Sequence, residues 1–153
     1  MKNKITITSL FAFFIDQIVK LLAASCLTSI SLIPGFFSLI YAKNEGVAFS
    51  MFWGNRWFII IISILLILFL IYTIKKEYIE KKENSNFKNI TYGILIGGIF
   101  GNLFDRIFRG YVIDYIALNL FGYSFPIFNL ADVAITFGVV LLIIDNIKES
   151  KNN

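Results

Sequence analysis

The sequence predicts an all-α membrane protein with four transmembrane helices and a small β-rich loop region outside the membrane. Its 153 residues are 58% hydrophobic and its mean hydropathy is +0.76, which leaves too few polar residues to cover the surface of a soluble domain. Four stretches approach the roughly 20 apolar residues that a helix needs to cross a bilayer. The length allows one domain, so residues 1–153 are expected to form a single integral membrane unit.

The four apolar stretches differ in character. The first is interrupted by Asp16 and Lys20, and the second has no charge and is the clearest. The third is rich in glycine and ends in polar residues, and the fourth begins near Asn129. Helices are therefore expected at about residues 5–24, 57–74, 90–108 and 129–147.

Three loops connect these helices, and the first of them alternates β-prone runs with turn residues. Outer loops are expected at about residues 25–56 and 109–128, and a cytoplasmic loop at about residues 75–89. Residues 32–53 alternate short β-prone runs with turn residues such as Pro34-Gly35. That alternation favours short strands lying at the membrane surface over a disordered linker.

Basic residues set the orientation, because cytoplasmic loops carry an excess of Lys and Arg. Three basic residues fall in the proposed outer loops, namely Lys43, Arg56 and Arg109. Nine fall in the termini and the middle loop, namely Lys2, Lys4, Lys75, Lys76, Lys81, Lys82, Lys88, Lys148 and Lys151. Both termini and the middle loop are thus expected in the cytoplasm, where the loop lysines set topology and meet anionic lipid headgroups. No nucleic-acid partner is expected, since the basic residues form no patch.

The absence of histidine narrows the possible chemistry. The chain has no His and a single Cys, Cys26, which excludes serine–histidine and cysteine–histidine catalysis and most zinc sites. The run that ends at Cys26 resembles a lipoprotein signal, but Asp16 and Lys20 would lie inside its apolar region. No cleavage is therefore expected there, and Cys26 is interpreted as an inert apolar filler.

Ionisable residues within apolar segments cost about 2.5–3.5 kcal/mol each on insertion scales, so they mark sites of structure or function. Asp16 and Lys20 lie four residues apart on one helix face. They form either an ion pair that lowers its own insertion cost or a polar face turned toward an interior site. The two interpretations have equal weight.

The third segment contains the stretch GGIFGNLFDR. Gly97 and Gly101 have the small-xxx-small spacing that lets another helix approach closely. Asn102, Asp105 and Arg106 follow at helical spacing. They form either hydrogen-bonded contacts at a helix interface, with Arg106 reaching outward, or a group near the outer face in which Arg106 keeps a carboxylate ionised or anchors a loop.

One aspartate, Asp114, lies within the second outer loop, and another, Asp132, follows it. Taken alone, Asp114 is an ordinary loop residue, and Asp132 is best explained as a capping residue three positions after an N-cap at Asn129. Topology, however, brings both carboxylates to the same membrane face. Two close carboxylates cannot both ionise easily, which provides a general base and a general acid able to activate water against an amide bond.

Five stretches resemble, in order, the motifs of bacterial lipoprotein signal peptidases (signal peptidase II), which are aspartyl peptidases of four membrane helices. The stretches are DQIVK, IPGFFSLIYAKNEGVAFS, GGIFGNLFDR, VIDY and FNLADVAIT. One such short stretch is weak evidence for a family, but five in the same order on a chain of this length and topology are specific evidence. Val47 stands where family members often have Ala, and Tyr115 where many have Phe.

The resemblance implies that Asp114 and Asp132 are the catalytic pair. It also implies residues that support the site or bind substrate, namely Asp16, Asn44, Gly46, Asn102, Arg106 and Asn129. Asp105, Lys20, Gly97 and Gly101 are interpreted as structural, and Ala48 and Phe49 occupy family positions in the first outer loop. The implied reaction is hydrolysis of the amide bond before the lipobox Cys of a prolipoprotein that already carries diacylglycerol, with residues 32–53 forming a cradle that steers the substrate.

The same resemblance implies a cellular location and a set of partners. The enzyme would be a multi-pass protein of the bacterial cytoplasmic (inner) membrane, with its active site toward the outer face. Its partners would be prolipoprotein substrates, membrane lipid and the cyclic-peptide antibiotics that mimic the substrate. An aspartate pair with water requires no metal or organic cofactor, and either aspartate can start as the base because a coupled pair shares its titration.

Two functions of other classes fit parts of the sequence. A small transporter or channel would use Asp16, Asp105 and Arg106 as an ion relay and needs polar residues along the whole span. A non-enzymatic scaffold would use the polar residues only for helix association. Because most of the acids gather toward one side and the outer loops are rich in Asn, Gly and Asp, the peptidase remains the expectation.

Overall fold

The computed structural model describes residues 2–46, 54–81 and 85–152. It contains four helices, α1 (Lys2–Cys26), α2 (Arg56–Lys81), α3 (Asn86–Phe108) and α4 (Leu130–Asn152). Four strands form one antiparallel arrangement in the order β1 (Ser29–Ile33), β2 (Phe37–Asn44), β3 (Val112–Leu120) and β4 (Tyr123–Ser124). The prediction of a mostly helical protein with a small β-rich region is confirmed.

Three helices in the described part of the chain are long and apolar enough to cross a membrane, namely Asn3–Cys26, Arg56–Ile79 and Leu130–Lys151. Many of their large apolar side chains are exposed on the outside of the bundle, among them Phe11, Leu65 and Ile143. Such faces are stable against lipid and not against water. The chain is therefore a membrane protein.

Helix α3 is not among these three spans, and it carries several glycines together with Asn102, Asp105 and Arg106 in its last turns. It packs against α1, α2 and α4. Its glycines allow the close approach: a Cβ on Gly97 would lie 2.6 Å from the Ser9 carbonyl oxygen of α1, and one on Gly98 would lie 2.8 Å from that of Ala131 in α4. The central helix thus carries its polar residues into contact with two neighbours.

The sheet is attached to one end of the bundle. β1 begins three residues after α1 ends, β3 begins shortly after α3, and α4 begins shortly after β4. The turn at Pro34-Gly35, which the sequence predicts, joins β1 to β2, with Gly35 at φ 74°. The strands expected within residues 32–53 are therefore present up to Asn44, and Val47, Ala48 and Phe49 lie outside the described residues.

The expected cytoplasmic loop at 75–89 is too long. Helix α2 continues to Lys81, and α3 begins at Asn86 behind the N-cap Ser85, so the connection is short and its residues 82–84, Lys82 included, lie outside the described part of the chain. The segment after Ile74 is rich in Lys and Glu, which are good helix formers. Hydropathy marks where a helix leaves the membrane and not where the helix ends.

Lys88 has structural contacts that the sequence does not predict. It is 8% exposed and lies 3.2 Å from Glu77, 3.5 Å from Asp145 and 3.1 Å from Glu149. The Tyr92 hydroxyl donates to the same Glu77 carboxylate at 3.1 Å. This group, called here the Lys88 cluster, joins α2, α3 and α4 at the end of the bundle away from the sheet.

Candidate active site

Strand pairing positions Asp114. In the β2–β3 register Ala42 pairs with Asp114 and Asn44 pairs with Val112. Residues two apart on a strand share a face, so Asn44 is a diagonal neighbour of Asp114. Its side-chain amide donates to Asp114 Oδ2 at 2.8 Å, and Asp114 is only 2% exposed. The apolar residues around this acid in the sequence are the consequence of a buried strand.

The start of α4 positions Asp132. The Asn129 side-chain oxygen accepts from the Asp132 backbone N–H at 3.0 Å, and Asp132 Oδ2 accepts from the Asn129 N–H at 3.1 Å. This reciprocal pair is a capping box, which satisfies two backbone donors at a helix start. The capping role that the sequence predicts for Asn129 and Asp132 is compatible with the geometry of a site.

Other elements satisfy the next donors of α4. The Leu130 N–H donates to the Tyr115 hydroxyl at 3.1 Å, and the Ala131 N–H donates to Asp16 Oδ1 at 3.1 Å. Helix starts leave such N–H groups free unless side chains accept from them. Residues of β3 and α1 therefore fix the position of the turn that carries Asp132.

Asn129 joins the two aspartates. Its side-chain nitrogen donates to Asp114 Oδ1 at 2.6 Å, while its backbone N–H donates to Asp132 Oδ2. Asn102 from α3 completes the connection, since its nitrogen donates to Asp132 Oδ1 at 2.8 Å. The two carboxylates thus lie on either side of one fully buried asparagine.

Each of the three asparagines has its amide orientation set by another donor. Asn44 Oδ1 accepts from the Gly46 N–H at 3.0 Å, and Asn129 Oδ1 accepts from the Asp132 N–H. Asn102 Oδ1 accepts from Lys20 Nζ at 2.8 Å and from Asn129 Nδ2 at 3.2 Å. Because an amide has one oxygen and one nitrogen, each nitrogen is left to face a carboxylate.

Lys20 belongs to a buried charge network under the site. Its ammonium lies 2.8 Å from Asp16 Oδ2 and 2.9 Å from Asp105 Oδ2, and all three side chains are at most 2% exposed. Arg109 pairs with Asp105, and Gln17 bridges them by donating to Asp105 at 3.1 Å and accepting from Arg109 at 2.8 Å. A Cβ on Gly101 would collide with the Asp16 carboxylate. Both interpretations of Asp16 and Lys20 therefore hold, since the ion pair also contacts Asn102.

Arg106 is buried and turned toward the outer loop. Its Nη2 donates to the Gly46 carbonyl at 2.6 Å and its Nη1 to the Asn102 carbonyl at 3.2 Å, while its Nε has no hydrogen-bond partner. The guanidinium attracts the negative charges of Asp132 and Asp114. This arrangement matches the alternatives in which Arg106 anchors a loop and supports a carboxylate.

A cavity of about 540 Å³ opens beside the two aspartates. Its polar end is lined by Asn44, Asn102, Arg106, Asp114 and Asp132. Its remaining wall is largely apolar and comes from α2, α3, α4 and the segment before α4, including Leu66, Ile99, Phe125, Phe128, Ile135 and Phe137. A cavity of this kind accepts a polar reacting group next to an apolar chain.

Burial raises the pKa of Asp114 to about 6, and the charge of Asp132 acts in the same direction. The hydrogen bonds from Asn44 and Asn129 act against this shift, because they favour the ionised carboxylate. Burial also raises the pKa of Tyr115 to about 12, so its hydroxyl stays protonated. Asp114 can therefore hold a proton up to a pH of about 6, well above the range of an ordinary aspartate.

The structure brings nearly all the predicted site residues into one connected group, with Gly97 apart at the α1–α3 contact. Three of its members were not predicted from the sequence, namely Gln17, Arg109 and Tyr115. Gln17 lies next to Asp16 in a helix and Tyr115 next to Asp114 in a strand, and polarity inside apolar segments is the signal that could have identified them.

An apolar layer separates the site from the Lys88 cluster. Leu70, Leu95 and Ile99 are buried together with Tyr92 in the middle of the bundle. In the described ranges, the buried charges fall at the two ends of the bundle and not in this layer. That distribution does not match a relay of polar residues along a span, which a transporter requires.

Comparisons with known proteins agree on one family. The model of signal peptidase (SPase) II matches residues 8–148. The lipoprotein signal peptidase of Caldicellulosiruptor bescii is 43% identical over 139 residues, covering 90% of this chain and 86% of that protein. The one from Staphylococcus aureus is 35% identical over 147 residues, covering 94% and 88%. A bacterial membrane enzyme solved at 2.3 Å has a TM-score of 0.85 and 33% identity over 100% of this chain and 92% of its own.

Proposed function

The chain belongs to the signal peptidase II family, and from this premise we propose that it is an intramembrane aspartyl endopeptidase. Its substrate is a diacylglyceryl-modified prolipoprotein, and it hydrolyses the amide bond before the lipidated Cys. We further propose that α3 is a fourth span, that both termini face the cytoplasm and that the sheet end faces outward in the cytoplasmic membrane. The lysine distribution supports this orientation.

One observation carries the assignment of the dyad: Asn129 donates to both carboxylates, to Asp114 through its side chain and to Asp132 through its backbone. An asparagine between two acids holds them at a common centre without neutralising either. The cavity supports the substrate class, because its polar end lies at the aspartates and its apolar wall can accept the lipid of the modified Cys.

The buried charges support a single proton on the pair. Lys20 and Arg109 balance Asp16 and Asp105, which leaves Arg106 as the positive charge beside Asp114 and Asp132. One ionised aspartate balances Arg106, whereas two would leave a net negative charge in a desolvated site. The resting pair is therefore one acid and one carboxylate.

The environments of the two aspartates suggest their roles. Asp132 lies in the first turn of α4, where the helix dipole and the donors from Asn102 and Asn129 favour a negative charge. Asp114 keeps the proton, consistent with its raised pKa. Asp132 then takes a proton from water, the water oxygen attacks the scissile carbonyl, and Asp114 donates a hydrogen bond to the carbonyl oxygen. Collapse of the tetrahedral intermediate breaks the C–N bond, and the proton that Asp132 took from water passes to the amine of the departing Cys.

The test is direct cleavage. Purified protein is incubated with diacylglyceryl-modified prolipoprotein and the size shift is followed on a gel. Asp114→Asn and Asp132→Asn are each expected to abolish the shift, while Asp145→Asn, a change of the same type farther along α4, retains it. Turnover at near wild-type rate by either dyad variant would show that the proposed dyad is wrong. Cleavage of the unmodified precursor at the same rate would contradict the substrate class.

A further inference from the structure

The turn between β3 and β4 holds an aromatic residue in an unfavourable backbone conformation. Phe121 and Gly122 are its two residues, with φ of 53° and 85°. Two-residue hairpin turns with positive φ at both positions favour Asn-Gly or Asp-Gly, because other side chains rarely adopt the left-handed region. Among the residues that the structure describes, Phe121 is the only non-glycine residue with a positive φ.

The Phe121 side chain is also fully exposed, at 108% of its reference area. Its neighbours Leu120 and Tyr123 are 37% and 57% exposed. In water, neither the conformation nor the exposure of this ring would stabilise the fold. Contacts within the described part of the chain therefore do not explain why this ring stands here.

A second turn lies beside the first. The Asn119 N–H donates to the Phe36 carbonyl at 2.8 Å, which joins the β1–β2 turn to the end of β3. Phe36 and Ile33 of that turn are 45% and 50% exposed. Ile33, Phe36, Leu120, Phe121 and Tyr123 are called here the aromatic tip.

The composition and the position of the aromatic tip indicate lipid as its surroundings. Residues 29–41 and 115–130, which contain both turns, carry no Lys, Arg, Asp or Glu. Phe and Tyr without nearby charge are suited to the interface between lipid headgroups and acyl chains, whereas protein-binding surfaces usually add a polar rim. The sheet continues from the end of α1, whose exposed apolar face already meets lipid.

We propose that the aromatic tip inserts into the leaflet on the site side of the membrane, with Phe121 as its anchor. The hairpin that carries Phe121 also carries Asp114 at its other end. After the hairpin, the chain passes Phe125 and Phe128, which line the cavity, and then enters α4. The depth of the tip thus sets the depth of the reacting centre relative to lipid. This consequence for activity rests on the proposed function, but the insertion itself does not.

Insertion is measured first, by fluorescence. Phe121→Trp and the wild type are each reconstituted in vesicles of phosphatidylcholine and phosphatidylglycerol. Subtracting the wild-type fluorescence, which comes from the two native tryptophans, leaves the fluorescence of the new indole. Brominated acyl chains are expected to quench this difference signal, and aqueous acrylamide is not. Quenching by acrylamide alone would place the ring in water, and quenching by neither would indicate cover by protein, such as a second copy of this chain. Either outcome overturns the proposal.

Stability and activity are expected to move in opposite directions in Phe121→Asn. Asparagine suits the turn, so Tm in detergent micelles should rise by about 2–4 °C. In vesicles, kcat/KM for an embedded lipopeptide should fall about three- to tenfold, because the anchor is lost, while the micellar value stays within about twofold. Phe121→Leu is the matched control and should keep the vesicle activity. Equal activity of Phe121→Asn and Phe121→Leu in vesicles, when Phe121→Trp is quenched by lipid, would refute the link to depth and leave the insertion and the peptidase assignment standing.

Discussion

Replacing Lys20 with Met tests whether the charge network under the site acts on catalysis. Lys20 Nζ contacts three oxygens, those of Asp16, Asp105 and Asn102, at 2.8, 2.9 and 2.8 Å. Met keeps the apolar stem and removes the ammonium. The Asn102 oxygen then loses its strongest donor, so the amide is held less firmly with its nitrogen toward Asp132.

The magnitude follows from burial. Lys20 is 0% exposed and its two acids are at most 2% exposed, so solvent does not screen the pairs. Breaking a buried ion pair by removing one partner costs about 3–5 kcal/mol. For a chain of this size about 1 kcal/mol corresponds to about 2–4 °C, so Tm should fall by about 6–20 °C. Because Asn102 no longer donates reliably to Asp132, kcat should fall about 10²-fold with little change in KM.

Two further variants separate catalysis from stability. Lys88→Met removes another lysine surrounded by carboxylates, but the contacts described for the Lys88 cluster lie at the opposite end of the bundle from the site. It should lower Tm and leave kcat unchanged. Lys20→Met/Asp105→Asn removes one charge of each sign, so part of the stability should return while kcat stays low. Cleavage of a diacylglyceryl lipopeptide in micelles measures kcat and KM, and the loss of far-ultraviolet ellipticity measures Tm.

If Lys20→Met lost stability and kept the wild-type kcat, Lys20 would be structural alone, and the orientation of Asn102 would not depend on it. A recovery of kcat in Lys20→Met/Asp105→Asn would lead to the same conclusion, because that variant also lacks the contact to Asn102.

Three other predictions concern single contacts. With Asp114 as the acid, kcat should fall as pH rises through about 6. Asn44→Ala removes a hydrogen bond that favours the ionised form of Asp114, so this fall in kcat should move to higher pH. A loss of activity below pH 6 instead would reverse the two roles. Gly101→Ala should abolish activity and lower Tm, because the new Cβ collides with the Asp16 carboxylate, and an unchanged Tm would contradict the α1–α3 contact. Tyr115→Phe should destabilise by about 1 kcal/mol in thermal unfolding, since the Leu130 N–H loses its acceptor, and no loss would mean that water replaces the hydroxyl.

The sequence predicts the helices and the local contacts of individual residues well, because these depend on local patterns. The capping signal at Asn129, the pairing of Asp16 with Lys20 and the spacing of Gly97 and Gly101 all follow from helical periodicity. Connections between elements are harder to predict. That Lys20 sets the orientation of Asn102 depends on how α1 rotates against α3, which no local pattern specifies. The same holds for Lys88, whose carboxylates come from two other helices.

The start of α4 shows why a capping residue and a proposed catalyst can be the same side chain. The backbone N–H groups of this turn donate hydrogen bonds to the side chains of Tyr115 in β3, Asp16 in α1 and Asn129 itself. Three parts of the fold therefore hold the turn in place. The carboxylate of Asp132, at the third helical position, is therefore held in a fixed geometry. It also lies at the positive end of the helix dipole, which favours its negative charge. Asn129 then extends the same arrangement to Asp114 across 2.6 Å. Because the bonds that begin the helix also orient the proposed dyad, a substitution that frays the first turn of α4 should reduce activity before it unfolds the protein.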